Sequence, residues 1–265
     1  MKIINTHEHL WNHDGMTVEA LLDVSAKFGI SETWLSNGFT EAEWDQVGDK
    51  HVEQAFTKYP NQIRGMGFIH LGIDNAQKVK QFKDRGFWGL KCIFPTSPYD
   101  DPAHDEIWAI AQELKMPVLF HACLSISSIN AAVRKFPFNP RWTTPDRLLR
   151  VALLFPDMIM IIAHLGNYHM QEACDVARLA NVYLDTSGAG DLKHYLPKSA
   201  FDAMVYWRYA KNKLLWGSDN HYKFMANQFE CIQHFLNTTQ LSEENIELMW
   251  HGNAEKIIHQ ITGTK

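Results

Sequence analysis

Short apolar runs alternate with longer stretches of helical apolar spacing along the whole chain. The runs predict eight strands, at Lys2–Thr6, Glu32–Leu35, Ile63–Ile69, Gly89–Phe94, Val118–His121, Met158–His164, Val182–Thr186 and Leu214–Gly217. The stretches between and after them predict helices over Val18–Phe28, Lys50–Tyr59, Ala76–Arg85, Asp105–Leu114, Pro145–Phe155, Gln171–Ala180, Ala200–Tyr209 and Gln228–Leu236. A further helix pair is expected from Ser242 onward.

This alternation predicts an α/β protein with a parallel sheet. The run Met158–Ala163 is continuously apolar, which is typical of a parallel strand buried on both faces. Eight units in 265 residues leave about 33 residues each, the size of a βαβ repeat. We therefore expect a (β/α)8 barrel, with residues 1–265 forming a single domain. A doubly wound open sheet is the alternative. The long segment Cys123–Thr144 is expected to cover an active site or to hold a small helix at Ile129–Lys135.

Composition and charge exclude several classes of protein. The 25 Lys and Arg residues against 30 Asp and Glu residues give a formal net charge of −5, without the basic footprint of a nucleic-acid-binding protein. Met158–Ala163, the longest apolar run, is far too short to span a membrane. Because no apolar run precedes the first polar residues, we expect no signal peptide. The four cysteines are widely separated, so we expect reduced, mostly buried thiols in a cytoplasmic protein.

Titratable residues follow several of the predicted strands, where the active sites of barrel enzymes lie. His7 and His9 are two residues apart and should share a strand face, with Glu8 on the opposite face. Taken singly, such histidines could be hydrogen-bonded core residues, and an aspartate there could be a helix N-cap. Together they indicate a metal site, because one ion would satisfy polar groups that are costly to bury alone. The residues of this kind are His7, His9, Lys91, His121, His164 and Asp219.

These strand-end motifs, taken in order, resemble the amidohydrolase superfamily, and in particular the branch that includes aminocarboxymuconate semialdehyde decarboxylase. The resemblance extends almost from end to end, through Gly86–Lys91, Pro117–His121, Ile161–Gly166, Val182–Ser187 and Gly252–Ala254. It implies one divalent metal ion, most often zinc, with manganese or iron as alternatives. The implied ligands are His7, His9, His121 and Asp219, with His164 and Asp219 as catalytic residues. A homodimer is also implied.

Two features depart from the family pattern. Asn220-His221-Tyr222 follows the Gly-Ser-Asp motif where the family often has a proline, so His221 is a candidate substrate contact. Lys91 falls where binuclear members of the superfamily carry a carboxylated lysine bridging two metals, and here we interpret it as a substrate-binding or supporting group. Trp11 and Trp142 are candidate pocket walls, and Arg141 is a candidate clamp for an acidic substrate.

The expected activity is hydrolysis of an amide, lactone or ester bond of a small molecule by a metal-activated water. Asp219 would act as the base, and His164 would polarise the carbonyl or hold the water. The alternative is non-oxidative decarboxylation of an aromatic or muconate-like acid, with Arg141, Arg147 or Lys91 holding the carboxylate. Decarboxylases of the branch tend to be longer than this chain of 265 residues, which favours hydrolysis. A third alternative, a catalytically inactive scaffold, fits poorly because each expected ligand is present.

Overall fold

Eight parallel strands arranged in sequence order form the centre of the molecule in a computed structural model. The structure describes residues 2–10, 16–38, 46–122, 137–187, 210–239 and 241–263. The strands are β1 (Ile3–Leu10), β2 (Ile30–Asn37), β3 (Ile63–Ile69), β4 (Gly89–Cys92), β5 (Val118–Phe120), β6 (Met160–Ile162), β7 (Val182–Asp185) and β8 (Leu214–Leu215).

Helices connect the strands on the outside of this sheet. Those described are α1 (Val18–Lys27), α2 (Gln46–Lys58), α3 (Ala76–Asp84), α4 (Asp105–Glu113), α5 (Arg147–Leu154), α6 (Met170–Val176), α7 (Met225–Thr238), α8 (Glu243–Glu247) and α9 (Asn253–Thr262). Ser242 begins the predicted C-terminal helix pair, since its side chain accepts a hydrogen bond from the Asn245 amide. The predicted helix at Ala200–Tyr209 and the predicted small helix at Ile129–Lys135 lie outside the described residues.

Hydrogen bonds between the first strand and the chain around the last close the sheet into a barrel. The Thr6 amide donates to the Trp216 carbonyl over 2.9 Å, and the Asp219 amide donates to the His7 carbonyl over 2.9 Å. A buried apolar cluster fills the barrel interior toward the amino ends of the strands, and α9 packs against it. Its members from the strands include Ile4, Trp34, Met66, Leu119, Ile161, Tyr183 and Leu215. The predicted (β/α)8 barrel is therefore confirmed.

The first strand is longer than predicted and contains an irregularity at the point where its polar residues begin. Residue Asn5 pairs with Thr33 and Glu8 pairs with Leu35, so β1 uses one more residue than β2 over this step. Such a β-bulge changes which side chains face inward. Ile4 lies inside the barrel, and strict alternation from it would direct Thr6 and Glu8 inward. The bulge instead lets His7 and His9 face the interior.

Most of the other strands are shorter than predicted at their carboxyl ends. Strand β6 ends at Ile162 because His164, Leu165 and Asn167 have positive φ angles and turn the chain out of the sheet. Strand β8 contains only Leu214–Leu215, so Gly217–Asp219 belongs to the following loop. Cys92, Cys174 and Cys231 are buried thiols, as expected, and Cys123 lies outside the described residues. Within the described ranges, no helix has the length and apolar character needed to cross a membrane.

Candidate metal centre

Three side chains bring their candidate ligand atoms together at the end of the barrel where the carboxyl ends of the strands lie. The Nε2 atoms of His7 and His9 are 3.1 Å apart. Oδ1 of Asp219 lies 3.3 Å from Nε2 of His7 and 3.0 Å from Nε2 of His9. Both histidines are almost fully buried, whereas the Asp219 side chain is 20% exposed and marks the side that is open to solvent.

Hydrogen bonds on the far side of each ring orient the two histidines. Nδ1 of His7 lies 2.9 Å from Oδ2 of Asp185 and 2.9 Å from Oγ of Ser187. Nδ1 of His9 lies 2.6 Å from the carbonyl oxygen of Asn37. Because a carboxylate and a carbonyl can only accept, both Nδ1 atoms carry the proton. The Nε2 lone pairs of both rings are therefore available to a metal ion.

His164 and His121 extend this cluster along the barrel wall. His121, the predicted fourth ligand, is not in the group of three ligand atoms, and its role as a ligand stays a prediction. Nδ1 of His164 is 3.6 Å from Oδ2 of Asp219 and 2.9 Å from Oγ of Ser187. Its Nε2 is 3.3 Å from Nδ1 of His121. His164 has a φ of 57°, and the Asp185 carboxylate accepts a hydrogen bond from its backbone amide over 3.1 Å. The left-handed turn after β6 thus directs this ring toward Asp219.

Electrostatics keep His7 and His121 neutral and Asp185 and Asp219 ionised. Burial, reinforced by Lys91, lowers the pKa of His7 to about 4 despite the nearby carboxylates. Burial and the neighbouring His164 also hold the pKa of His121 well below its ordinary value. Burial opposes ionisation of Asp219, but His7, His9 and His164 outweigh it and keep its pKa well below the usual range. His7 therefore offers a neutral imidazole and Asp219 a carboxylate, the protonation states that metal ligands require.

The geometry of the three ligand atoms suits a small divalent ion. Ligands about 2.0 Å from zinc in a tetrahedron lie about 3.3 Å from one another. The observed separations of 3.1, 3.3 and 3.0 Å match this spacing. Two nitrogen donors and one oxygen donor, with the supporting hydrogen bonds on the far side of each ring, are also typical of a catalytic zinc centre. The residues present therefore fit a metal ion.

Lys91 is fully buried beside these ligands. Its Nζ atom lies 2.7 Å from Nε2 of His7, and it comes from β4, across the barrel interior from β1. Nζ can donate a hydrogen bond to the same Nε2 lone pair, so an ion bound by His7 would take the place of this contact. The role of Lys91 as a substrate-binding or supporting group stays a prediction.

The remaining candidates are not in the group of three ligand atoms or lie outside the described residues. His221 is buried in the loop after β8, where its Nδ1 accepts a hydrogen bond from the Lys223 amide over 3.2 Å. Arg141 is exposed and Trp142 half-buried in the short helix Pro140–Thr143. Trp11 lies outside the described residues. The substrate-binding roles of these four residues stay predictions.

Sequence reasoning missed Asp185 and Ser187 as site residues. Both are fully buried at the end of β7, and Ser187 lies between the rings of His7 and His164. The signal was present, because Asp185 ends an apolar strand in the same way as the candidates on the other strands. In the sequence, the segment Val182–Ser187 contributes only to the family resemblance.

The (β/α)8 barrel thus carries candidate metal-binding histidine and aspartate side chains at the carboxyl ends of its strands, where the active sites of barrel enzymes lie. The family model described as amidohydrolase matches residues 4–259, and the chain belongs to this family. No curated protein sequence matches the chain.

Solved structures with the same fold have low sequence identity to the chain. An uncharacterised TIM-barrel protein from Bordetella bronchiseptica has a TM-score of 0.77 at 18% identity, covering 99% of this chain and 100% of its own. A probable 2-pyrone-4,6-dicarboxylic acid hydrolase from Acinetobacter baumannii, with citric acid bound, has a TM-score of 0.68 at 13% identity over 97% and 99%. The 2,6-dihydroxybenzoate decarboxylase from Rhizobium has a TM-score of 0.70 at 14% identity over 97% and 98%.

Proposed function

We propose that this protein is a metal-dependent hydrolase that cleaves an amide, lactone or ester bond of a small molecule. The observation that carries the proposal is the position of the two Asp219 oxygens. Oδ1 faces the Nε2 atoms of His7 and His9, whereas Oδ2 faces His164 at 3.6 Å. One oxygen can therefore hold an ion while the other remains available for proton transfer. A divalent ion bound here, which we expect to be zinc, would act as a Lewis acid and lower the pKa of water.

Asp219 and His164 divide the proton-transfer work in this proposal. Oδ2 of Asp219 takes a proton from the attacking water and later gives it to the leaving nitrogen or oxygen, so the carboxylate is regenerated. Nδ1 and Nε2 of His164 contact Ser187 and His121, which fix the orientation of the ring. With Nδ1 held by Ser187, Nε2 of His164 can donate its hydrogen bond to the substrate carbonyl in place of His121 as negative charge develops on the carbonyl oxygen.

Lys91 supports a second candidate function, non-oxidative decarboxylation. Its buried ammonium beside His7 would attract the carboxylate of an acidic substrate. In this reaction the bond to the carboxyl carbon breaks, carbon dioxide leaves, and an acid of the site protonates the substrate carbon. Hydrolysis remains the main proposal, because the arrangement of Asp219 and His164 suits the activation of water more directly.

Two substrate panels distinguish the candidates. Lactones and amides are offered to the zinc-loaded protein and followed by proton release or by appearance of the amine, while hydroxybenzoates are followed by release of carbon dioxide. We expect turnover in the first panel. Turnover confined to hydroxybenzoates would contradict hydrolysis and support the second candidate.

Variants of His164 test its assigned role. We expect His164→Asn to lower kcat by about 10²–10⁴-fold, the usual contribution of a positioned acid or base. Zinc content should be unchanged, since His164 is not among the three ligands. The matched control is His169→Asn, because His169 lies at the surface beside Glu172 on the same turn. Equal activity in both variants would contradict the assignment.

A further inference from the structure

Behind the metal ligands, on the opposite face of β1, three polar side chains are completely buried. Asn5 and Glu8 come from β1, and Ser218 lies in the loop after β8. We call these three residues the buried polar cluster. None of them faces His7 or His9 across the ligand site, so the proposed reaction uses none of them directly.

The buried polar cluster accepts hydrogen bonds from the backbone amides of His7 and His9 and from that of Ser218, the residue before Asp219. Oδ1 of Asn5 accepts hydrogen bonds from the amides of Ser218, over 3.0 Å, and His7, over 3.3 Å. Oε1 of Glu8 accepts from the amide of His9 over 2.9 Å. Within the cluster, Nδ2 of Asn5 donates to Oγ of Ser218 over 2.7 Å, and this Oγ donates to Oε2 of Glu8.

Asp219 needs this support because its backbone conformation is unfavourable. Its φ angle is 45°, in the left-handed region that non-glycine residues adopt only when their surroundings enforce it. Its amide is held by the His7 carbonyl, and the preceding residue, Ser218, is held through both its amide and its hydroxyl group. The backbone conformation of Asp219 is thereby fixed from the first strand.

A buried carboxyl group is an expensive way to join two segments. Burying it costs several kcal/mol unless it is well hydrogen-bonded. The same two segments already have a simpler connection, since the Thr6 hydroxyl donates to the Trp216 carbonyl over 2.9 Å. Closing the barrel therefore does not by itself explain Glu8. The contacts of Glu8 with the His9 amide and with Ser218 point to the ligand geometry instead.

We propose that Glu8 is a positioning residue, which acts through Ser218 and Asn5 to hold Asp219 in register with His7 and His9 and so sets the affinity for the metal ion. This rests on the metal centre proposed above. Glu8 contacts neither ion nor substrate. It fixes how far apart the ligands of β1 and of the loop after β8 lie.

Zinc affinity measured on the full-length protein tests this role. The protein is stripped with a chelator and titrated with zinc in competition with a chromogenic chelator, and its thermal unfolding is recorded in parallel. We expect Glu8→Ala to weaken zinc binding about 10–100-fold, the usual effect of losing a group that orients ligands. Ser218→Ala should weaken it similarly. The double variant should lose less than the product of the two single losses, because both act through one connection.

Thr6→Val is the control for a purely structural effect. It removes a hydrogen bond between the same two segments without touching the buried polar cluster. We expect it to lower the melting temperature and leave zinc affinity unchanged. If Glu8→Ala lowers only the melting temperature, as Thr6→Val does, the positioning role is wrong while the metal centre stands. If the wild-type protein binds no zinc, manganese or iron, both proposals are wrong.

Discussion

Each ring nitrogen of His7 has a different kind of partner. Nδ1 faces the carboxylate of Asp185, and Nε2 faces Asp219, His9 and Lys91. The ionised Asp185 fixes the proton on Nδ1, which makes the other nitrogen a lone-pair donor at neutral pH. The chemistry of the site thus begins with the choice of tautomer at one residue.

Single residues of the site were predictable where a strand ended in a histidine or an aspartate. His7, His9, His164 and Asp219 were found in this way, and the structure brings them together. Partners that act through hydrogen bonds were not predictable, because Ser187, Ser36 and Asn37 are ordinary residues until the fold places them beside a ring. Their roles depend on contacts between segments far apart in the chain.

A strained surface residue gives a test of local energetics away from the site. Lys115 follows α4 with a φ of 52°, and the amides of Lys115 and Met116 bond to the carbonyls of Gln112 and Ala111. This helix ending favours glycine, because a Cβ atom is disfavoured in the left-handed region. We expect Lys115→Gly to raise the free energy of unfolding by about 1 kcal/mol, measured by chemical denaturation.

The same substitution inside a helix should have the opposite sign. Lys80 is exposed within α3, and Lys80→Gly should lower the free energy of unfolding by about 1 kcal/mol. Destabilisation by both substitutions would show that the strain at Lys115 is not real.

At the scale of the elements, the bulge in β1 decides which residues form the site. The sequence pattern predicted correctly that His7 and His9 share a face, since that follows from their spacing alone. The pattern could not predict that this is the inner face. Ile4 also faces the interior, and with regular alternation from Ile4 the side chains of His7 and His9 would face outward. The one-residue irregularity between β1 and β2 reconciles them.

The close approach of β1 to the loop after β8 predicts a specific role for Gly217. A Cβ atom at this position would lie 2.6 Å from the Cβ of His7 and 3.2 Å from the Cβ of Ser187. We expect Gly217→Ala to lower the free energy of unfolding by about 1–3 kcal/mol through overpacking. Because the clash displaces a ligand, zinc affinity should fall as well, as measured by competition with a chromogenic chelator.

Gly252→Ala provides the matched control for Gly217→Ala. Its added Cβ would meet the end of the flexible Leu248 side chain at 2.9 Å, in a backbone with a helical φ of −60°. This variant should keep its stability and its zinc affinity. Normal zinc binding by Gly217→Ala would contradict the tight packing described here.

For the whole molecule, the alternation of strands and helices was enough to predict the barrel. All eight predicted strands are present, and their order follows the sequence. The carboxyl ends of the strands were less predictable, because β6 and β8 stop where backbone turns direct His164 and Asp219 into the site. Sequence patterns record burial, whereas these turns depend on tertiary contacts, so the errors concentrate where the function lies.

The ligands also join distant parts of the chain, since His7 and His9 lie in β1 and Asp219 follows β8. An ion bound by all three would hold the first strand and the loop after the last strand together. Because only the folded state brings these ligands together, the ion would stabilise the folded state and not the unfolded state. At a concentration 100 times its dissociation constant, this amounts to about 2.7 kcal/mol.

The metal content of the protein tests the central claim most directly. Elemental analysis of protein purified without a chelator or a histidine tag should find one divalent ion per chain, and His9→Ala should lose it. Two ions per chain would contradict the single-ion centre and indicate that Lys91 bridges them. No bound ion, even after zinc or manganese is supplied, would contradict the metal centre and the hydrolytic mechanism built on it.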